Sequence, residues 1–297
     1  ESNFYYNQLT DTQKKIYDGL IQNKDNMTDG TYVVEYGEAF SDILEQEGGN
    51  EQLGDDYQAA VEAFLYDNPD VFYMDVNKLY LNVQTKKKVF STTYNVYVGP
   101  AENSNYFAEG FTSKAQVQDA KRKIENIKNS ILQNVTGDTY KDILYIHDYL
   151  VENIDYDQDY SSIGSYSMYG ALIDKECVCE GYAKTLKYLL NAANIPCEII
   201  QGQATSSSGK TESHAWNIVY LEGKWYYIDA TWDDPIIIGE GTVAKSVQYQ
   251  YFLKGSDDMS GDHTLFYQFS DGGRTFRYPE ASEENYEYIC QWLSMGT

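Results

Sequence analysis

Apolar positions recur along this chain with two periods, and the segments they mark alternate between helix and strand. Near the start, Ile16, Tyr17, Leu20 and Ile21 fall on adjoining faces of one helix, and Thr10 with Gln13 makes a capping box at its entry. Tyr57, Ala60, Val61, Phe64 and Leu65 keep three- and four-residue spacing in a second helix, which Asn68-Pro69 stops. Between the two, residues Thr31 to Tyr36 read as a strand. Further on, Leu79, Leu81 and Val83 alternate with polar positions, and another strand runs from about Val89 to Val98. The Gly/Asn-rich stretch Gly99 to Gly110 is the best boundary. Ser113 and Gln116 then offer a second capping box, ahead of a stripe formed by Val117, Ala120, Ile124, Ile127 and Ile131. A further helix from near Thr139 carries Ile143, Ile146 and Leu150, with His147 on or beside that stripe and read as structural.

The pattern sharpens after residue 179. Ala183, Leu186, Leu189, Leu190 and Ala193 define a helix that ends before Ile195-Pro196. Cys197 to Gly202 reads as a strand, Ser206 to Glu212 as a polar loop, and His214–Leu221 with Lys224–Ala230 as a hairpin about Glu222-Gly223. A two-residue turn pairs Leu221 with Lys224 and sets Asp229 opposite Trp216, on the face that carries His214. Diagonal neighbours of that kind lie ~7–8 Å apart, within reach of a carboxylate and a ring nitrogen. A slip of one residue puts the two on opposite faces. The tail beyond Pro235 reads as irregular, with aromatic patches at Tyr249–Phe252 and Phe266-Tyr267.

Composition narrows the possible partners. The 297 residues, 42% apolar and 23% charged, are those of an ordinary soluble protein able to bury a sizeable core. A net charge of −24 argues against nucleic acid, because no basic stripe offsets the repulsion of phosphates. The one basic run, Lys86-Lys87-Lys88, reads as a solvated hairpin tip. The 30 tyrosines suit half-wet clefts, although most serve as ordinary strand formers. No apolar run approaches the ~18 residues of a membrane span. The chain begins at Glu1 without a basic or apolar leader, and the expectation is an extracellular or cell-surface monomer. Four cysteines are too few for a disulfide scaffold, and Cys177-Val178-Cys179 has no second metal-type pair, so neither metal nor cofactor is expected.

Three residues carry the candidate chemistry. Cys179 falls in the first turn of its helix, where unpaired N–H groups favour a thiolate and can donate to an oxyanion. Cys177, Cys197 and Cys290 read as small core residues. An imidazole at His214 can stabilise the thiolate and protonate a leaving group, and Asp229 can orient it. Trp216, on the same face, can shield the pair. Gly181 and Ala183 are small enough for the helix start to approach a facing sheet.

At these residues the chain resembles the transglutaminase-like superfamily, in particular its bacterial cysteine peptidase domains. The resemblance rests on Tyr169-Gly170-Ala171-Leu172, Val178 to Ala183, His214-Ala215-Trp216-Asn217 and Trp225 to Pro235. Weaker likenesses lie in Asp67-Asn68-Pro69, Phe252-Leu253 and Asp262-His263. It implies an α+β, papain-like core in which a catalytic helix packs on an antiparallel sheet, spanning 111–255. A mixed α/β accessory region at 1–110 and a C-terminal extension at 256–297 complete the expected organisation. It also implies Cys179 as nucleophile, since Gly-Tyr-Ala follows it at the right offset, His214 as general base and acid, and Asp229 as the orienting group. For the second oxyanion donor the candidates are Tyr169, then Trp216 and Tyr166. The implied activity is amide cleavage on a protein or peptide substrate, cell-wall peptide among them. Transfer to an amine acceptor, or a binding module without turnover, are the alternatives.

Overall fold

The structure, a computed structural model, describes residues 3–87, 89–234, 249–266 and 276–287. Its N-terminal part is built on α1 (Asp11–Gln22), α2 (Ser41–Leu44) and α3 (Gly49–Asp67), which cover a sheet of β1 (Val34–Gly37), β2 (Tyr80–Lys87) and β3 (Thr92–Gly99) in the order β1-β3-β2. The capping box forms as the sequence predicts: Thr10 Oγ1 accepts from Gln13 N at 3.4 Å, and Gln13 Oε1 accepts from Thr10 N at 3.0 Å. Lys86 and Lys87 are exposed at the end of β2. Lys88 lies outside the described residues.

Two long helices follow, α4 (Lys114–Leu132) and α5 (Thr139–Asn153). The expected box at Ser113 is displaced by one residue. Ser113 Oγ caps Gln116 N at 3.4 Å, while Gln116 Oε1 accepts from Thr112 N at 2.8 Å and not from the cap residue itself. A short parallel pair, β4 (Asp155–Tyr156) with β5 (Glu176–Cys177), then leads into α6 (Cys179–Ala192).

The central sheet is antiparallel and runs β8-β7-β6-β9, from β6 (Cys197–Thr205), β7 (Thr211–Leu221), β8 (Lys224–Ile228) and β9 (His263–Leu265). α7 (Ser256–Met259) precedes β9. Glu222 and Gly223 both take positive φ, 50° and 87°, as a type I′ turn requires. The register from Leu221↔Lys224 to Asn217↔Ile228 follows from that turn. β9 corrects the expectation of an irregular tail, since three residues are too few to show alternation. Cys290 and Tyr267 fall outside the described residues.

α6 lies on the sheet, where buried Asn217 donates to Ala183 O at 2.9 Å and to Glu198 O at 3.3 Å. One hydrophobic cluster joins Tyr5, Ile16, Phe64 and Val98 to Ala183, Ile199 and Ala215. Tyr5 is therefore packed against the central sheet, and its Oη donates to Ile199 O. A fully buried Lys187 crosses the same junction, paired with Glu198 and 3.9 Å from Asp67. Asp67 in turn accepts from Tyr6 N at 2.9 Å, and its carboxyl is pushed up to about 6 by burial against the lowering effect of Lys187. The architecture is α+β, with the sheet and α6 as its centre. Among the described residues no helix is long and apolar enough to cross a membrane.

Candidate active site

The start of α6 is held by its neighbours before any functional contact is made. Val178 is extended at the N-cap, offers no side-chain cap, and donates its N–H to Ser165 O at 3.0 Å. Cys179 is thus the first helical residue, partly exposed, in the positive field of uncapped N–H groups. Gly181 is required there. A Cβ at this position would lie 2.5 Å from Cys177 Cβ and 2.9 Å from Ser165 O. The close approach is thus to β5 and the 164–167 loop, whereas Ala183 is the small residue that meets the sheet. Cys177 and Cys197 are buried, and burial pushes both thiols up.

β8 ends at Ile228, so its pairing with β7 stops at Asn217, short of the stretch from Trp216 back to Thr211. His214 stands in that stretch, and Cys179 is among the groups that act on its ring. His214 Nε2 meets Asp229 Oδ2 at 2.6 Å. The Asp229 side chain is fully buried and that of His214 only 8% exposed, so the pair lies out of water. Burial opposes charge on the ring, but Asp229 and Cys179 outweigh it and push His214 up to about 10. For Asp229 burial acts upward, yet His214 and His263 hold the carboxyl well below the usual range.

The residues after β8 fix Asp229 in turn. Its Oδ1 accepts from Thr231 N at 3.0 Å and Trp232 N at 3.2 Å, and its own N–H donates to Tyr251 O at 3.0 Å. Asp233 Oδ2 binds His147 Nε2 at 3.1 Å, while Asp234 accepts from Tyr182 of α6. One hexapeptide therefore ties the hairpin to both α5 and α6. His147 is fully buried, as a structural residue should be. Burial works against its protonation, but its hydrogen bonds to Asp148 and Asp233 raise it overall.

The aromatic candidates separate. Trp216 is buried and stacks on His214, centroids 5.9 Å apart at 22°, which places it as a lid over the pair. Its indole N–H has no hydrogen-bond partner among the described residues. Tyr169 stacks on Phe72 at 5.7 Å and meets Phe111 edge-on, and the charges acting on its hydroxyl are Asp174, Lys123 and Asp119. Tyr156 and Tyr166 are the tyrosines on which Cys179 acts: both are raised, by burial first and by the sulfur's charge among the further causes. Tyr156 was not singled out from the sequence. Its strand is two residues long and carries no periodic signal.

His263 is the other residue that sequence reasoning missed as part of this group. Its Nε2 lies 3.0 Å from the same Asp229 Oδ2, and its Nδ1 lies 2.6 Å from Asp262. The adjacent Asp262-His263 pair was the available signal. The donor atoms of His214, Asp229 and His263 lie within 4.8 Å of one another, a spacing that a cation could also bridge. The direct hydrogen bonds account for it. A cleft of about 490 Å³ opens beside the helix start, lined by Glu180 and Lys184 of α6, by Tyr160 and Tyr166, and by Phe72 and Glu109 of the N-terminal part. Cys179 is at its edge in sequence, one residue before Glu180, and does not itself line it.

Part of the chain is similar to known proteins. The family described as the transglutaminase-like superfamily matches residues 125–230, which contain Cys179, His214 and Asp229. Over 67 residues the chain is 34% identical to kyphoscoliosis peptidase from Mus musculus and from Homo sapiens, a stretch that covers 20% of this chain. The chain spans about a tenth (10%) of the length of those relatives. Among solved structures, a TGase aligns at 16% identity and TM-score 0.32, over 70% of this chain and 56% of the other. The periplasmic domain of TgpA from Pseudomonas aeruginosa aligns at 11% identity and TM-score 0.27, over 52% of this chain and 63% of the other.

Proposed function

We propose, from the match of residues 125–230 to the transglutaminase-like superfamily, that the protein is a thiol enzyme acting on amide bonds of a protein or peptide through an acyl-enzyme on Cys179. The observation that carries the reading is the short chain of contacts from Cys179 to His214 to Asp229 at an uncapped helix start. A superfamily that holds both peptidases and transglutaminases fits either hydrolysis or acyl transfer; we assign hydrolysis, as a cysteine peptidase or amidase.

In this reading His214 keeps a proton far above its ordinary 6.5 and faces Cys179 as an imidazolium. The thiolate sulfur attacks the amide carbonyl carbon, and the carbonyl oxygen takes up negative charge at the Cys179 N–H. As the C–N bond breaks, His214 gives its proton to the departing amine. A water then attacks the thioester, passes its proton to His214, and releases the acid and Cys179. Asp229 holds the ring throughout and stabilises its charge. For the second oxyanion donor, the reading favours Tyr156 and Tyr166, on which Cys179 acts, over Tyr169, which lies against Phe72 and Phe111, and over Trp216, which is buried.

The test compares the native protein with Cys179→Ala on glutamine-containing peptides, following new amine termini, ammonia and incorporation of a labelled amine. Peptide cleavage or ammonia release that disappears in the variant supports the reading. Amine incorporation in its place assigns a transglutaminase. Activity that survives in Cys179→Ala overturns the thiol mechanism, and a protein inert in every assay points to a binding module.

A further inference from the structure

The chain contains three histidines. Each has a carboxylate on one ring nitrogen, and two have one on both. His147 lies between Asp148 and Asp233, and His263 between Asp262 and Asp229. Tyr251 links the two groups, since its N–H donates to Asp233 Oδ1 at 2.8 Å and its hydroxyl to Asp262 Oδ2 at 2.6 Å.

The consequence falls on Asp229. An ionised carboxylate offers about four lone-pair sites, and here all are used. Thr231 N and Trp232 N take Oδ1, while His214 and His263 share Oδ2. The backbone donors fix only one oxygen. The direction in which Oδ2 presents its remaining lone pair to His214 is set by the donor on its other side.

We propose that His263 is a positioning residue of the active site, whose Nε2–H orients Asp229 Oδ2 toward His214 and is itself held by Asp262. The inference rests on the assignment of Cys179, His214 and Asp229 above. Its support is geometric. The His263 side chain is 1% exposed and meets a fully buried carboxylate, so water cannot replace the bond. Its ring is enclosed by Trp216 at 4.9 Å, Trp232 at 4.6 Å and Tyr251 at 5.4 Å. The strand that carries it is seated closely on β6. A Cβ at Gly202 would lie 2.1 Å from Thr264 O and 2.5 Å from the Trp216 ring, so only glycine lets β9 and the indole meet there. His263 acts through Asp229 and touches no reacting atom.

The test uses His263→Leu, which removes both ring nitrogens, and His263→Gln, whose amide Nε2 can take the place of the ring Nε2–H. Two rates are measured: amide cleavage, and alkylation of Cys179 by iodoacetamide, which needs no substrate. Expected for His263→Leu is a fall of about tenfold or more in kcat with KM within about twofold, and a parallel fall in alkylation rate; His263→Gln should recover most of both. A folded His263→Leu that alkylates and turns over like the native protein overturns the inference. So does a glutamine variant no better than leucine, which would mark the residue as packing alone. Should His263→Leu not fold, Asp262→Asn takes its place, with a smaller fall of the same kind expected and an unchanged alkylation rate overturning the inference. A native protein that alkylates selectively at Cys179 but cleaves no amide would overturn the proposed reaction, and the alkylation rates would still decide the role of His263.

Discussion

His214 and His263 converge on one atom, Oδ2 of Asp229, from 2.6 and 3.0 Å. Two rings on one buried oxygen make this carboxylate the fixed point of the cluster, and in the proposed reaction its charge bears both on the response to pH and on the preparation of Cys179.

The pH response follows from the signs of two shifts. His214 rises from its ordinary 6.5 to about 10, so the stability it contributes is fully present below about 6.5 and is lost as pH climbs toward 10. Asp229 is depressed, so its contribution is present above the ordinary 3.8 and is lost as pH falls below it. Stability should therefore be greatest between those two values. Melting temperature against pH checks this, with Asp229→Asn flattening both limbs. The same shift puts the alkaline limb of kcat/KM near 10; a limb near 6.5 would show that the ring is not held protonated.

Among Cys177, Cys179 and Cys197, alkylation should select Cys179. Burial pushes the other two thiols up and closes them to reagent, whereas Cys179 is partly exposed beside a cationic ring. Peptide mapping after brief iodoacetamide treatment should find the label there, and His214→Ala should slow it about tenfold or more. Equal labelling of Cys177 would contradict the geometry.

Gly181→Ala should slow the same reaction without touching a reacting atom. The added methyl group meets the Cys177 side chain and the Ser165 carbonyl, so the first turn of α6 must shift. Overpacking of this kind costs about 1–3 kcal/mol. Urea denaturation together with the alkylation rate measures both effects.

Lys187→Ala should be among the most damaging changes distant from the site. It removes the cation from beside the buried carboxylates of Glu198 and Asp67. Breaking a buried pair costs about 3–5 kcal/mol, whereas replacing both members with apolar residues is often neutral. Lys187→Met combined with Glu198→Leu should therefore unfold at higher denaturant than Lys187→Ala alone.

Local chemistry explains what could be read from the residues. The Thr10 box, the stop at Asn68 and the 222–223 turn are each settled within a few positions, and each lies where the pattern puts it. The hairpin register carried the His214–Asp229 distance with it, because turn length alone decides which face a strand residue takes. Contacts between remote segments left no such trace. His263 reaches Asp229 across 34 positions through a three-residue strand, and Tyr169 turns to Phe72 and Phe111, which lie in the N-terminal part and just beyond it. Neither partner could be inferred from the neighbours along the chain.

Synthesis gives the placement of β9 a further meaning. The ribosome delivers Cys179, His214 and Asp229 well before Asp262 and His263, although the N-terminal part that lines the cleft emerges first. A nascent chain that has just passed residue 234 thus owns every proposed reacting group but not the strand whose His263 meets Asp229. Reactivity would then mature as β9 docks, and until then the growing chain would hold its thiol least prepared.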